Sequence, residues 1–202
     1  IANHLKMLAN LRLANPGLAN STMQIRYAKD YLLAISKKDD LENREYVVAF
    51  NNSNKVIKAT INTATSKGGW KLLMGKTSIK AAAEKVTITV PALSTVVLKA
   101  NQKIDKTDVK VGKVTSELDF LTGYYETKAE VTTKDLAKVT FYIRTSLDQP
   151  WSSLGTDTNS PYSVYVDPLD FEGKTVEIKA EAINSKGSKY ELPSTKLAIP
   201  AP

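Results

Sequence analysis

Hydrolysis of a glycosidic bond takes two carboxyl groups, about 5 to 5.5 Å apart when configuration is retained and about 6.5 to 9.5 Å apart when it is inverted. The chain has 21 acidic residues, yet Asp39, Asp40, Asp157, Asp167, Asp170 and Glu172 all fall in turn-like contexts. There a carboxylate caps backbone amides far more often than it does acid or base chemistry, so no catalytic pair is assigned. His4 is the single histidine, and neither a histidine zinc site nor a Ser-His-Asp triad can be built without it. Its place on the opening helix reads as a packing or polar-face residue. Gly68-Gly69 precedes Trp70 in a turn and lacks the strand-to-helix setting of a phosphate loop. No metal site and no cofactor are assigned. The turn from Asp167 to Asp170 has oxygen donors that could hold calcium, but solvated carboxylates are the default reading.

Aromatic faces are the remaining chemistry, because Trp and Tyr combine a large apolar surface with a polar handle. Trp70 and Trp151 are the two tryptophans. Trp70, beside Leu72 and Leu73, reads as core or edge packing. Trp151 follows Pro150 in a turn and is freer for a ligand. Tyr124 and Tyr125 are adjacent, so on a strand they face opposite sides and one of them is open to solvent.

These residues sit in a chain of 202 residues, long enough for one large domain or two small ones. Apolar residues make up 42% and charged residues 24%, ordinary for a globular protein with a core. No apolar run reaches the roughly 20 residues that cross a bilayer. There are no cysteines, which excludes disulfides and thiolate chemistry and fits either the cytosol or a bacterial exterior. The net charge of +7 invites a nucleic-acid reading. However, lysines such as Lys58, Lys80, Lys99, Lys128 and Lys179 are scattered over outward slots of alternating strands, where they solvate a face and guard edges. The opening residues lack the basic and apolar regions of a secretory signal. A start inside a helix, without Met, gives the expectation of an excised fragment.

Residues 1 to 14 repeat apolar positions at a period near 3.6, which predicts an amphipathic helix stopped by Asn15-Pro16-Gly17. So short a helix is marginal alone. Its stripe of Ile1, Leu5 and Leu8 is expected to pack on the following domain or under a neighbouring chain. From Ile25 the period changes to two. Ile25, Tyr27, Tyr31, Leu33 and Ile35 point one way, as a strand pair or one long bent strand. Strands are predicted at Tyr46 to Phe50, Val56 to Thr63, Trp70 to Met74, Val86 to Val90 and Thr95 to Ala100. After polar residues 101 to 108 a second set follows at Phe120 to Val131, Val139 to Arg144, Tyr162 to Val166, Val176 to Ile183 and Tyr190 to Ile199. Short strands between regular turn signals predict β-sandwiches.

The first half resembles the C-terminal end of glycoside hydrolase family 13, the α-amylase family. Leu8-Ala9-Asn10-Leu11-Arg12 through Asn15-Pro16-Gly17-Leu18 is similar to the end of that family's last barrel helix. Leu33 to Lys37 and Tyr46 to Ser53 resemble the hairpin that opens its C-terminal β-sandwich, and Val86 to Leu98 resembles the closing strands. The second half resembles a bacterial immunoglobulin-like domain on Val139 to Ile143, Trp151 to Asp157, Ser160 to Tyr162 and Lys174 to Gly187. That resemblance makes Trp151, Leu154 and Tyr162 structural.

The reading is therefore an all-β chain of two consecutive β-sandwich domains preceded by one short α-helix. Residues 1–18 are the helix remnant, 19–103 the amylase-type sandwich and 104–202 the immunoglobulin-like sandwich. The resemblance implies a non-catalytic, extracellular or cell-surface bacterial fragment that stabilises or positions the catalytic barrel of a starch-degrading or other α-glucan-degrading parent. The family's catalytic regions match nothing in this chain. The expected partner is that barrel. The alternative is a carbohydrate-binding module on α-glucan, with Trp151 and Tyr125 as its contacts. No nucleic-acid partner and no membrane span are expected.

Overall fold

The structure is a computed structural model that describes residues 2–19, 21–39, 41–105 and 107–201. The chain divides into two compact units, Ile1–Thr107 with Lys134–Leu136, and Asp108–Thr133 with Ala137–Pro202.

The first unit opens with helix α1 (Ala2–Ala14) and a 3-10 turn at Pro16–Leu18. Asn15 ends the helix: its Nδ2 donates to the Leu11 carbonyl at 2.9 Å. Pro16 cannot extend the hydrogen-bond ladder. Eight strands follow: β1 (Met23–Lys29), β2 (Leu32–Asp39), β3 (Arg44–Asn51), β4 (Ile57–Asn62), β5 (Trp70–Met74), β6 (Ile79–Ala82), β7 (Lys85–Val90) and β8 (Thr95–Lys103). Strands β1, β2, β3, β8 and β5 lie side by side in that order, facing a sheet ordered β4-β7-β6. Between the sheets, Leu32, Ala34, Val47, Ala49, Ile61, Ile88 and Leu98 form a buried core, with Tyr27 and Trp70 packed on its margin. Trp70 is thus a packing residue. β1 and β2 are an antiparallel pair joined at Asp30-Tyr31, both at positive φ, so the pair and not the single bent strand forms.

The second unit holds β9 (Val109–Leu118), β10 (Tyr125–Thr133), β11 (Lys138–Arg144), β12 (Ser152–Asp157), the two-residue β13 (Asn159–Ser160), β14 (Ser163–Val166), β15 (Thr175–Ile183) and β16 (Lys189–Ala198). One sheet is ordered β14-β10-β9 and the other β12-β11-β15-β16. Their inner faces bury Phe141, Ile143, Tyr162, Val166, Ile178 and Leu192. The chain is therefore an all-β pair of sandwiches preceded by one short helix.

Besides the two-residue β13, three strands escape the sequence reading. β6 is a short Ala-rich edge strand, a composition that favours helix when read locally. β9 lies opposite a register shift between Ala129 and Val131, and such a bulge breaks the period of two. β12, Ser152-Ser153-Leu154-Gly155, carries turn residues but is held to β11 by its pairing. Conversely, the strand predicted from Phe120 begins only at Tyr125. Asp119 organises a turn before it, with Oδ1 accepting from Leu121 N at 3.0 Å and Oδ2 from Thr122 Oγ1 at 2.9 Å.

Candidate functional site

The turn carboxylates are largely engaged with backbone. Asp39 Oδ1 accepts from Leu41 N and Glu42 N at 2.9 and 3.0 Å. Asp157 takes the amides of Asn159 and Ser163, and Asp167 Oδ1 that of Leu169 at 3.0 Å. Asp40 lies outside the described residues. Among the described residues no group of three or more His, Cys, Asp or Glu is arranged to hold a metal ion.

The distinctive surface of the first unit is the outer face of its larger sheet. Leu32 and Ala34 of β2, Val47 and Ala49 of β3, and Val96 and Leu98 of β8 point into the core. Alternation therefore sends Leu33, Ile35, Tyr46, Val48, Phe50 and Val97 to the opposite side. Registers align these residues across the strands: Ile25 opposes Ile35, Ile35 opposes Val48, Val48 opposes Val97, and Val97 opposes Met74. One apolar row thus crosses all five strands. Beside it, Leu33 opposes Phe50, and Phe50 is 42% exposed. An antiparallel sheet with a solvated second face normally carries polar residues there.

Part of this face is roofed by α1 and its 3-10 turn. Gly17 sits against β2 and β3 so closely that a Cβ would come within 2.8 Å of both the Asp39 Cα and the Tyr46 ring. Lys37 Nζ donates to the carbonyls of Leu18 and Ala19 at 3.1 and 3.0 Å. Burial, and then the Arg12 guanidinium, hold the Lys37 ammonium below its ordinary pKa. Beyond the turn, α1 and the sheet enclose a groove of about 600 Å³, in which His4, Met7, Leu8 and Leu11 face Val48, Phe50, Met74 and Val97. The helix face turned to the sheet is thus His4-Met7-Leu8-Leu11, not the stripe through Leu5. Leu5 is exposed, Leu8 and Leu11 are half-buried, and Ile1 lies outside the described residues. The anchoring of Gly17 sets the helix rotation, which a period count alone could not fix.

The two sugar-contact candidates from the sequence both belong to the second unit but to different sheets. Tyr125 opens β10, half-buried, and packs on the second core. Trp151 precedes β12, with the Arg144 guanidinium 4.4 Å and Lys179 Nζ 5.0 Å from its ring centroid. Arg144 in turn pairs with Glu177, Nη2 to Oε2 at 2.5 Å. The Ser194 hydroxyl and then Arg144 hold the Glu177 carboxyl below its ordinary pKa. Tyr162, implied to be structural, is buried, and its hydroxyl donates to the Ala137 carbonyl at 3.2 Å. The exposed member of the tyrosine pair is Tyr124. It lines a cleft of about 390 Å³ with Leu154, Tyr165, Val166 and Phe171. Alternation across Tyr124-Tyr125 was the available sequence signal, but it could not say which ring faced out.

Residues 26–101 match the family model described as alpha amylase, C-terminal all-beta domain. An α-amylase of Streptomyces lividans is 36% identical over 190 residues, which are 89% of this chain and 20% of that protein. The chain thus spans about a fifth of the length of the curated relative it matches. Among solved structures, a debranching enzyme from Nostoc punctiforme aligns over 46% of this chain and 20% of its own at 23% identity, with a TM-score of 0.41. An α-amylase from H. orenii aligns over 49% and 20% at 24% identity, with a TM-score of 0.40. Structural likeness at these scores adds nothing to the sequence match. Residues 26–101 thus carry an alpha amylase C-terminal all-beta domain, and over most of its length the chain is similar to part of an α-amylase.

Proposed function

We propose that the chain is a non-catalytic module that packs on the catalytic barrel of a longer α-amylase-family enzyme, stabilising and positioning it. The apolar row Ile25-Ile35-Val48-Val97-Met74 and the groove under α1 carry this reading. Val48 and Val97 of that row are already buried, but Ile25, Leu33 and Phe50 on the same face remain exposed, and apolar surface of this kind gains by leaving water and marks an interface. In this reading residues 1–18 are the end of the last barrel helix, 19–103 the amylase-type sandwich, and 104–202 an immunoglobulin-like sandwich that spaces the enzyme. The parent acts on starch or a related α-glucan at the bacterial exterior, as an amylase or pullulanase type. The test is Phe50→Asp in the parent enzyme and in the isolated chain. The expected result is faster thermal inactivation of the parent with little change in the unfolding of the chain alone. Equal effects in both, or none in the parent, would refute the docking role. The purified chain is expected to release no reducing sugar from starch.

One observation favours a second reading, a tether to α-glucan: the exposed tyrosines around the cleft of the second unit. Trp151 and Tyr125 enter as the sequence candidates for the contact, and retention of the chain on insoluble starch is its measurement.

A further inference from the structure

The cleft in the second unit is built from segments that the β10–β14 register brings together. Tyr125 opposes Val166 and Glu126 opposes Tyr165. Tyr124 immediately precedes β10 and Tyr165 lies on β14, and both line the cleft. They are 41% and 54% exposed, while Val166 is buried and Phe171 packs on the core beneath. Two rings stand at the mouth and an apolar floor lies behind them.

Both walls are fixed by side-chain caps. In the 119–124 turn, Asp119 N donates to the Tyr124 carbonyl at 2.8 Å and Gly123 N to the Asp119 carbonyl at 2.7 Å. These bonds reinforce the Asp119 side-chain bonds given above, and Gly123 supplies the positive φ the turn requires. The opposite wall is the 3-10 turn Pro168–Phe171, capped by Asp167. Walls ordered before binding lower the entropic cost of holding a ligand.

The polar lining is Thr122, Asp167 and Asp170. In a chain of net charge +7, no Lys or Arg among the described residues lines this cleft, which disfavours an anionic ligand. A polyhydroxylated neutral ligand fits best. Its C–H faces lie on the tyrosine rings and its hydroxyls donate to carboxylate oxygens. Exposed carboxylates would hold a cationic peptide only through screened attraction. The volume, about 390 Å³, is within the usual range for a small-ligand site, and the mix of apolar lining with a few polar groups is typical of one.

We infer that the cleft between Tyr124, Tyr165 and the Asp167–Asp170 turn is an oligosaccharide-binding site. It rests on the tether reading and gives that reading its location. The experiment titrates maltoheptaose, with cellohexaose and a Lys-rich peptide as comparators, into the isotopically labelled 202-residue chain and follows amide NMR shifts. Saturable shifts confined to residues 119–126 and 163–171 are expected with maltoheptaose. Tyr124→Ala and Tyr165→Ala should each weaken binding about tenfold, with the remaining spectrum unchanged as evidence of folding. Absence of shifts with both sugars would overturn the site. So would shifts centred elsewhere, or shifts at the cleft with the peptide alone. Starch retention is measured in parallel. Retention unaffected by the double variant refutes this site and leaves the tether standing, whereas cleft binding without retention supports the site and refutes the tether.

Discussion

Glu45→Ala is expected to be the most damaging single polar substitution in the first unit. The Glu45 side chain is fully buried, and Arg26, 5% exposed, lies with Nη2 3.6 Å from Glu45 Oε1. The same Oε1 accepts from Ser36 Oγ at 2.5 Å, and Oε2 from the Thr65 amide at 2.9 Å. Removing the carboxylate takes the Glu45 charge away from a buried guanidinium, and breaking such a pair costs about 3–5 kcal/mol. It also orphans the Thr65 N–H, worth about 1–3 kcal/mol. The losses share partners and do not add fully, since Arg26 keeps its bond to Ser36 Oγ at 3.0 Å. A total near 5 kcal/mol is expected, a large share of the roughly 5–15 kcal/mol that holds a domain together. Glu45→Gln retains an acceptor for Thr65 and should cost about half as much. Replacing both members, Arg26→Met with Glu45→Leu, should recover much of the loss, because an apolar pair avoids the desolvation of two charges. The assay is urea unfolding followed by Trp70 fluorescence in a Trp151→Phe background, so that only the first unit reports. A cost for Glu45→Ala below about 1 kcal/mol would place the pair among solvent-screened surface bridges and refute the reasoning.

Phe141→Ala in the second core should destabilise that unit by about 3–5 kcal/mol, read from Trp151 fluorescence with Trp70 replaced by Phe. Gly17→Ala should cost about 1–3 kcal/mol, because backbone on β2 must yield to the new Cβ. It should also raise the exposure of Tyr46, visible by tyrosine nitration. Backbone and Thr122 hydrogen bonds to Asp119 hold that carboxyl below its ordinary pKa. Its stabilisation is therefore complete above the unfolded value and lost as pH falls through the lower folded value. Asp119→Asn should flatten the acid limb of the second unit's stability, measured as the urea midpoint against pH.

The order of the strands was legible wherever a core stripe alternated cleanly, as in Val86-Thr87-Ile88-Thr89-Val90 and Val139 to Ile143. The difficult elements are those whose pattern reports something besides one core. β2 and β3 are apolar on both sides, so counting by two grouped Leu33 with Ile35 but could not say which face is the core. In the structure Leu32 and Ala34 face the core. The helix face was misjudged for a related reason, since its rotation is fixed by Gly17 against Tyr46 and not by its own periodicity. The tyrosine cleft needed the pairing of β10 with β14, a contact between residues about forty positions apart, which no local pattern encodes.

The central claim is that the outer sheet face and the groove under α1 are covered in the intact enzyme. Hydroxyl-radical footprinting compares Met7, Phe50 and Met74 in the isolated chain and in the full-length protein, normalised to exposed Phe120. A several-fold fall in modification at all three in the full-length protein is the predicted result. Equal modification in the two proteins would contradict the account.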